Sequence, residues 1–300
     1  MAVSNDQSPS QTLLRWNTTK AVIREMLPPI ILRLLKSLFL RPSSEEVIRF
    51  TGKYESWSEC ISESSSYDSP IILSAATNAA QNVRRGAAIF ERDGVAFYSP
   101  EYRWPLLACL LRIAAENENQ LRVLDYGGAL GSTLAQSQQF LSNQVVSWNI
   151  VEQPRFVSVG RELFESDQLS FFESIDECLA AKAIDIVLLS AVIAYLENPY
   201  DFLTDLVGRG IEYILLDRTP VLQGTHDRLT LQHVPPSVYG EAISYPAWFF
   251  SRPLLQDILG RRYRLVCEFD GMGKGLDLGD TAAAFVGQLW QLRSQSDRQK

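Results

Sequence analysis

The sequence predicts an α/β fold: a doubly wound, mostly parallel sheet that ends in an antiparallel hairpin and is preceded by a helical N-terminal region. Three observations predict it. From about residue 119, short apolar runs alternate with stretches of helical period, the pattern of strands joined by crossover helices. Val123 to Gly131 reads Val-Leu-Asp-Tyr-Gly-Gly-Ala-Leu-Gly, an apolar run that ends in an acid and then a glycine-rich turn. The last two apolar runs, Tyr263 to Phe269 and Ala282 to Trp290, are separated by too few residues for a crossover helix and should pair antiparallel.

The elements follow in order. Residues 1–11 are polar and of disordered composition. Leu27 to Leu40 is apolar, with Arg24, Arg33, Lys36 and Arg41 interleaved; it is too short and too charged to span a bilayer and lacks a small-residue cleavage site. Residues 24–41 therefore read either as a basic helix in peripheral contact with an anionic membrane surface or as a helix packed on the domain with its cations in solvent. Ser43-Ser44-Glu45-Glu46 offers a helix start. Ile71 to Phe90 has helical period, an aromatic loop runs from Phe97 to Pro105, and Leu106 to Ala115 is a strongly apolar helix. Residues 12–118 thus form a helical region and lid. Over 119–293, strands are expected at Leu121–Asp125, Val145–Glu152, Leu169–Phe172, Ile184–Ser190 and Tyr213–Asp217. Helices are expected at Ser132–Leu141, Arg155–Phe164, Ile175–Ala181 and Asn198–Gly208. Gly271 to Gly275 reads as the turn of the closing hairpin, and 294–300 as a disordered tail.

Composition narrows the function. A net charge of -7 and a pI near 5.1 argue against a dedicated nucleic-acid binder and for a small ligand; a cytoplasmic location, free or peripheral to the inner face of the membrane, is expected. Cys60, Cys109, Cys178 and Cys267 are scattered without short spacing and read as reduced core residues; with only His226 and His233 beside them, no metal site is expected. In the glycine loop, Gly127, Gly128 and Gly131 allow a sharp turn and a close backbone approach to a ligand. Asp125 precedes the glycines, and a carboxylate there would repel a pyrophosphate but accept hydrogen bonds from hydroxyl or ammonium groups.

These residues resemble those of the class I S-adenosylmethionine-dependent methyltransferases. Their Rossmann-like, doubly wound seven-stranded sheet ends in such a hairpin, and their first strand leads into an acid-x-Gly-x-Gly-x-Gly loop. Asp125, Gly127 and Gly131 match, and Ala129 stands in place of the middle glycine. The resemblance implies S-adenosyl-L-methionine as cofactor, held by Asp125, Tyr126, Gly127, Gly128 and Gly131. Glu152, 27 positions after Asp125, would hold the ribose hydroxyls, with Gln153 beside it. Phe172, or equally Glu173, would flank the adenine. Ser190 and Ala191 would line the methionine part, while Tyr195 reads as core. Phe50-Thr51-Gly52-Lys53-Tyr54, Trp57, Tyr67-Asp68, Arg92-Asp93-Gly94, Leu215 to Pro220 and Tyr245-Pro246-Ala247-Trp248 give a narrower resemblance, to methyltransferase-like proteins found with bacterial surface-polysaccharide genes. A sugar-linked acceptor is implied by that association.

On the acceptor side, Asp217-Arg218-Thr219-Pro220 leaves the fifth strand at the sheet's carboxyl edge, with His226-Asp227-Arg228 in the following loop. His226 is the candidate catalytic base. Arg218 and Arg228 either bind an anionic group of the substrate or pair with Asp217 and Asp227. Tyr239, Tyr245 and Trp248 form either a sugar platform or an apolar lid. The expected function is methyl transfer to a hydroxyl of a small-molecule or sugar-linked substrate. A non-catalytic binding protein of the same fold is the alternative. A nicotinamide-dependent oxidoreductase fits less well, because the acid precedes the glycines. The oligomeric state stays open.

Overall fold

The computed structural model describes residues 47–65, 70–141 and 143–294. The N-terminal tail, the basic segment 24–41, the helix start at 43–46, Tyr67-Asp68 and the tail from 295 lie outside the described residues.

In chain order the elements are β1 (Arg49–Tyr54), α1 (Trp57–Ser62), α2 (Pro70–Arg84), β2 (Phe90–Arg92), β3 (Val95–Phe97), α3 (Trp104–Glu116), β4 (Leu121–Tyr126), α4 (Ser132–Leu141), β5 (Val145–Val151), α5 (Pro154–Leu163), β6 (Leu169–Phe172), α6 (Ile175–Ala181), β7 (Ile186–Ser190), a 3-10 turn (Ile193–Tyr195), α7 (Pro199–Arg209), β8 (Tyr213–Leu222), β9 (Arg228–Val234), α8 (Pro236–Tyr239), β10 (Ile243–Ser251), α9 (Arg252–Gly260), β11 (Tyr263–Asp277) and β12 (Ala282–Leu292). Local chemistry sets many of the boundaries. Prolines open α3, α5, α7 and α9 within their first turn, where a missing N–H costs nothing. The Ser174 hydroxyl caps α6 by accepting from the Glu177 N–H, and Gly210, at φ 71°, closes α7 in the left-handed conformation.

The strands assemble in the order β6-β5-β4-β7-β8-β12-β11, parallel except for β12, which runs antiparallel to both β8 and β11. The architecture is Rossmann-like α/β. Alternate residues of the central strands divide between two cores. Val123, Ile186, Leu188, Tyr213 and Leu215 pack on one face, and Leu124, Val187, Leu189, Ile214 and Leu216 on the other. That division is why these strands read as unbroken apolar runs: both faces are covered by helices.

The structure extends this sheet to ten strands with a β1-β9-β10 layer that the sequence pattern did not show. β8 continues five residues past its pairing with β7, and its free edge there is taken by β10 at Phe250 and Ser251. β10 pairs antiparallel with β9, and β9 with β1. The region before β4 carries α1, α2 and α3 but also strands β1, β2 and β3, and it belongs to the same compact unit, from residue 48 on, as the sheet. The closing hairpin is longer than expected. Gly271 to Gly275 lies within β11, across a register shift between Asp270 and Gly275, and the reversal falls at 278–281, where Leu278 N–H donates to Thr281 O. Cys60, Cys109 and Cys178 are buried, but Cys267 is exposed on β11, against the expectation of four core cysteines; its Sγ is 3.9 Å from that of Cys109.

Candidate functional site

Strand order reverses between β4, from which the chain proceeds to β5 and β6, and β7 on its other side. Ligands of open α/β sheets bind at the carboxyl ends of the strands flanking such a point. A cavity of about 420 Å³ opens there, within the ordinary range for small-molecule sites. Its floor is Asp125 and Tyr126 from β4, Glu152 after β5, Ser190 and Ala191 from β7, and Arg218 from β8.

The glycine loop forms one wall. Gly127 has φ 70°, its N–H donates to Val151 O, and a Cβ there would stand 2.5 Å from a Val192 methyl. A Cβ on Gly128 would stand 2.6 Å from the Asp125 carboxyl carbon. Only hydrogen fits between the loop and that carboxylate, so the backbone itself faces the cavity. Ala129 stands in the loop at φ 49°, and its N–H donates to Glu152. Gly131 does not line the cavity. At φ 90°, with Leu169 3.1 Å from where its Cβ would be, it turns the chain into α4.

Asp125 is buried, and its Oδ2 accepts from Trp148 Nε1 at 3.0 Å. Burial pushes its carboxyl up to about 7, against the Trp148 hydrogen bond and the nearby Arg103 charge, which favour ionisation. Glu152 is half-buried. Burial raises its pKa, and the N–H groups of Gln153 and Ala129 work in the other direction. Its remaining lone pairs are free to accept from a ligand in the cavity.

Behind this floor lies a charged knot that no local sequence signal marks. Arg103, just before α3, donates to Asp217 Oδ2, to Ser190 Oγ at 2.9 Å and to Thr133 Oγ1 at 2.9 Å. Ser190 Oγ in turn donates to Asp217 Oδ2 at 2.7 Å. Arg218, at φ 52°, reaches Ser190 Oγ at 3.3 Å and Asp93 Oδ2 at 3.4 Å. Arg103 and Arg218 both line the cavity, and both are paired.

A second missed residue, Glu91, is buried at the cavity edge. It accepts from Gly94 N–H at 3.2 Å and from Ser132, the first residue of α4, and burial raises its pKa. It sits in the β2–β3 hairpin, whose two-residue turn Asp93-Gly94 has both φ angles positive. That Asp-Gly pair is the local signal that could have disclosed the hairpin.

Of the residues expected from the sequence, Asp125, Tyr126, Gly127, Gly128, Glu152, Gln153, Ser190, Ala191, Arg218 and Tyr245 converge on this cavity. Others do not. Phe172 points into the core with Val151 and Ile175, while its neighbour Glu173 lines the cavity; the alternation of a strand end decides between them. His226 is exposed in the loop before β9, against Thr225 Oγ1, and does not line the cavity, so the expectation of a histidine base is corrected. Arg228 is consumed structurally, donating to Gly52 O and pairing with Asp280. Asp227 likewise accepts from Tyr200 OH and Ser251 N–H. Trp248 lies three residues after Tyr245 on β10 and so faces the other way, with its ring stacked on Trp57 and its N–H bonded to Leu196 O. Tyr195, expected in the core, lines the cavity with its hydroxyl on Gln232 Oε1 at 2.9 Å.

No family model and no curated protein matches the chain. Among solved structures it is similar to the N-terminal domain of EvdMO1 with SAH bound, at 18% identity over 71% of this chain and 97% of that one, TM-score 0.40. It is similar to Burkholderia thailandensis 1,6-didemethyltoxoflavin-N1-methyltransferase at 10% identity over 85% and 99%, TM-score 0.39. It is also similar to CalS10, an amino pentose methyltransferase from Micromonospora echinaspora, at 13% identity over 63% and 92%, TM-score 0.37. Likeness at this level carries no functional argument. The Rossmann-like architecture stands on the strand order itself.

Proposed function

We propose that the protein is an S-adenosyl-L-methionine-dependent methyltransferase acting on a hydroxyl of a small or sugar-linked acceptor. The observation that carries this reading is the convergence of Asp125, the glycine loop and Glu152 on one cavity at the topological switch point. The residues fit the cofactor. The loop offers backbone with no side chain over Asp125, a carboxylate at the end of β5 suits a vicinal diol, and the acids Asp125 and Glu152 favour a ligand that carries positive charge.

When bound, the cofactor supplies an electrophilic methyl group on a sulfonium. The chain's own contribution is alignment and exclusion of water. Glu152 and the loop would hold the nucleoside, Ser190 and Ala191 at the end of β7 would hold the amino-acid end, and Asp125 would act from beneath the loop through its charge. Calorimetric titration with S-adenosylmethionine and S-adenosylhomocysteine tests the reading. Micromolar binding is expected, and Asp125→Ala and Glu152→Ala should each weaken it at least tenfold, about 1.4 kcal/mol. No heat with either ligand, or unchanged affinity in both variants, contradicts it.

A further inference from the structure

The second half of the cavity has a composition of its own. Opposite the glycine loop, a separate cluster of Ile72, Val234, Ile243 and Tyr245 packs with the half-buried Phe156, Tyr195, Val238 and Tyr239. All but Ile243 line the cavity. They come from α2, α5, the 3-10 turn, β9, α8 and β10, so the wall is assembled from the β9–β10 strands together with the helices and turn packed beside them. The polar tips of its tyrosines are engaged by the protein. Tyr195 OH donates to Gln232 Oε1, Gln232 Nε2 donates to Tyr245 OH at 3.1 Å, and Tyr239 OH donates to Asp93 O at 3.1 Å. What the wall turns to a ligand is therefore aliphatic surface and ring faces. A polyhydroxylated ring would forfeit its hydration there without gaining partners, whereas a flat apolar body would lose nothing. At the wall's border stands the Glu91 carboxyl, tied to Ser132 at the end of the glycine loop.

We infer that the acceptor is a planar, apolar-bodied alcohol of the phenol class, its ring against the Ile72, Val234, Val238 and Tyr239 wall and its hydroxyl on Glu91, which acts as the catalytic base. This rests on the methyl-transfer reading and narrows its acceptor. The hydroxyl oxygen bonds to the transferred methyl carbon, the carbon–sulfur electron pair leaves on the cofactor's sulfur, and the hydroxyl proton passes to the Glu91 carboxylate and then to solvent. Burial raises the pKa of Glu91, which strengthens it as a proton acceptor; Asp93 raises it further, the Ser132 and Gly94 hydrogen bonds and Arg218 oppose, and Tyr239 also faces it.

The test uses the full-length protein saturated with S-adenosylhomocysteine and two probes, 2-naphthol and methyl glucoside. The expected result is that 2-naphthol binds and methyl glucoside does not, and that Val238→Asp abolishes naphthol binding while S-adenosylhomocysteine still binds. With S-adenosylmethionine, 2-naphthol should yield its methyl ether. Glu91→Gln should leave naphthol affinity within about twofold, lower kcat by about a hundredfold or more, and remove the acid limb of the kcat pH profile. Tighter binding of the glucoside, no naphthol binding or no ether product from a protein that does bind S-adenosylhomocysteine, or a Glu91→Gln variant with unchanged kcat, overturns the inference. Failure of S-adenosylhomocysteine itself to bind refutes the underlying methyl-transfer reading instead, and is read in the same titration before any acceptor is added.

Discussion

Asp125 joins two demands at one atom group. Under the proposed function it would carry charge to serve a cationic ligand, yet it is buried beneath Gly128 with Trp148 as its hydrogen-bond donor. Burial holds its carboxyl at about 7, above the ordinary aspartate value of 3.8, with Trp148 and Arg103 favouring the charged form and Glu152 and Asp217 opposing it. Between those two values the folded state binds more protons at this site than the unfolded state, so its contribution to stability falls as pH rises through the window and levels off above 7. Asp125→Asn keeps an acceptor for Trp148 and removes the charge. The melting temperature of the ligand-free variant relative to wild type should therefore climb between about pH 4 and about pH 7 and level off above that, as scanning calorimetry would show. A difference independent of pH contradicts this account. Asp125 and Glu152 were legible because each stands where a visible strand pattern stops. Arg103 and Glu91 were not, because what recruits them is a partner far along the chain, Asp217 for the one and the first turn of α4 for the other.

Among the elements, those alternating along the sheet were readable because their connections are local and each central strand is buried on both faces. The β1-β9-β10 layer was not. Leu229 and Leu231 alternate with Thr230 and Gln232, yet all four are buried, Pro246 interrupts the β10 run, and β1 finds its partner β9 only across some 180 residues, pairing Phe50 with Gln232. Without those strands Tyr245 and Trp248 read as parts of one platform or lid, whereas a strand sends them to opposite faces. The N-terminal elements are attached to the sheet through Arg103, which links the start of α3 to β7, β8 and α4. Its removal leaves the buried Asp217 with Arg218 Nε at 3.5 Å as its remaining cation. Arg103→Ala should therefore destabilise the fold by about 3 kcal/mol, seen as a lower urea midpoint with unchanged slope. A loss below about 1 kcal/mol would show that the knot does not hold the elements together.

At the scale of the whole molecule, the sheet places a cradle and the added layer encloses it. The parallel strands bring Asp125, Glu152, Ser190 and Arg218 to one edge, and β9, β10 and α2 face them across the cavity. The hairpin of β11 and β12 closes the opposite side of β8 and contributes no side chain to that cavity among the described residues. The division follows the elements: the polar half is carried by the ends of the central parallel strands, and the apolar half by β9, β10, α2 and the segments packed on them. The central claim is that the polar half is an adenosylmethionine cradle. Crystals of the full chain grown with saturating S-adenosylhomocysteine test it most directly. The account predicts the nucleoside in the cavity, both ribose hydroxyls within hydrogen-bonding distance of Glu152 and the amino-acid end beside Ser190 and Ala191. Ligand bound elsewhere, or a cavity holding only solvent at saturating concentration, would contradict it.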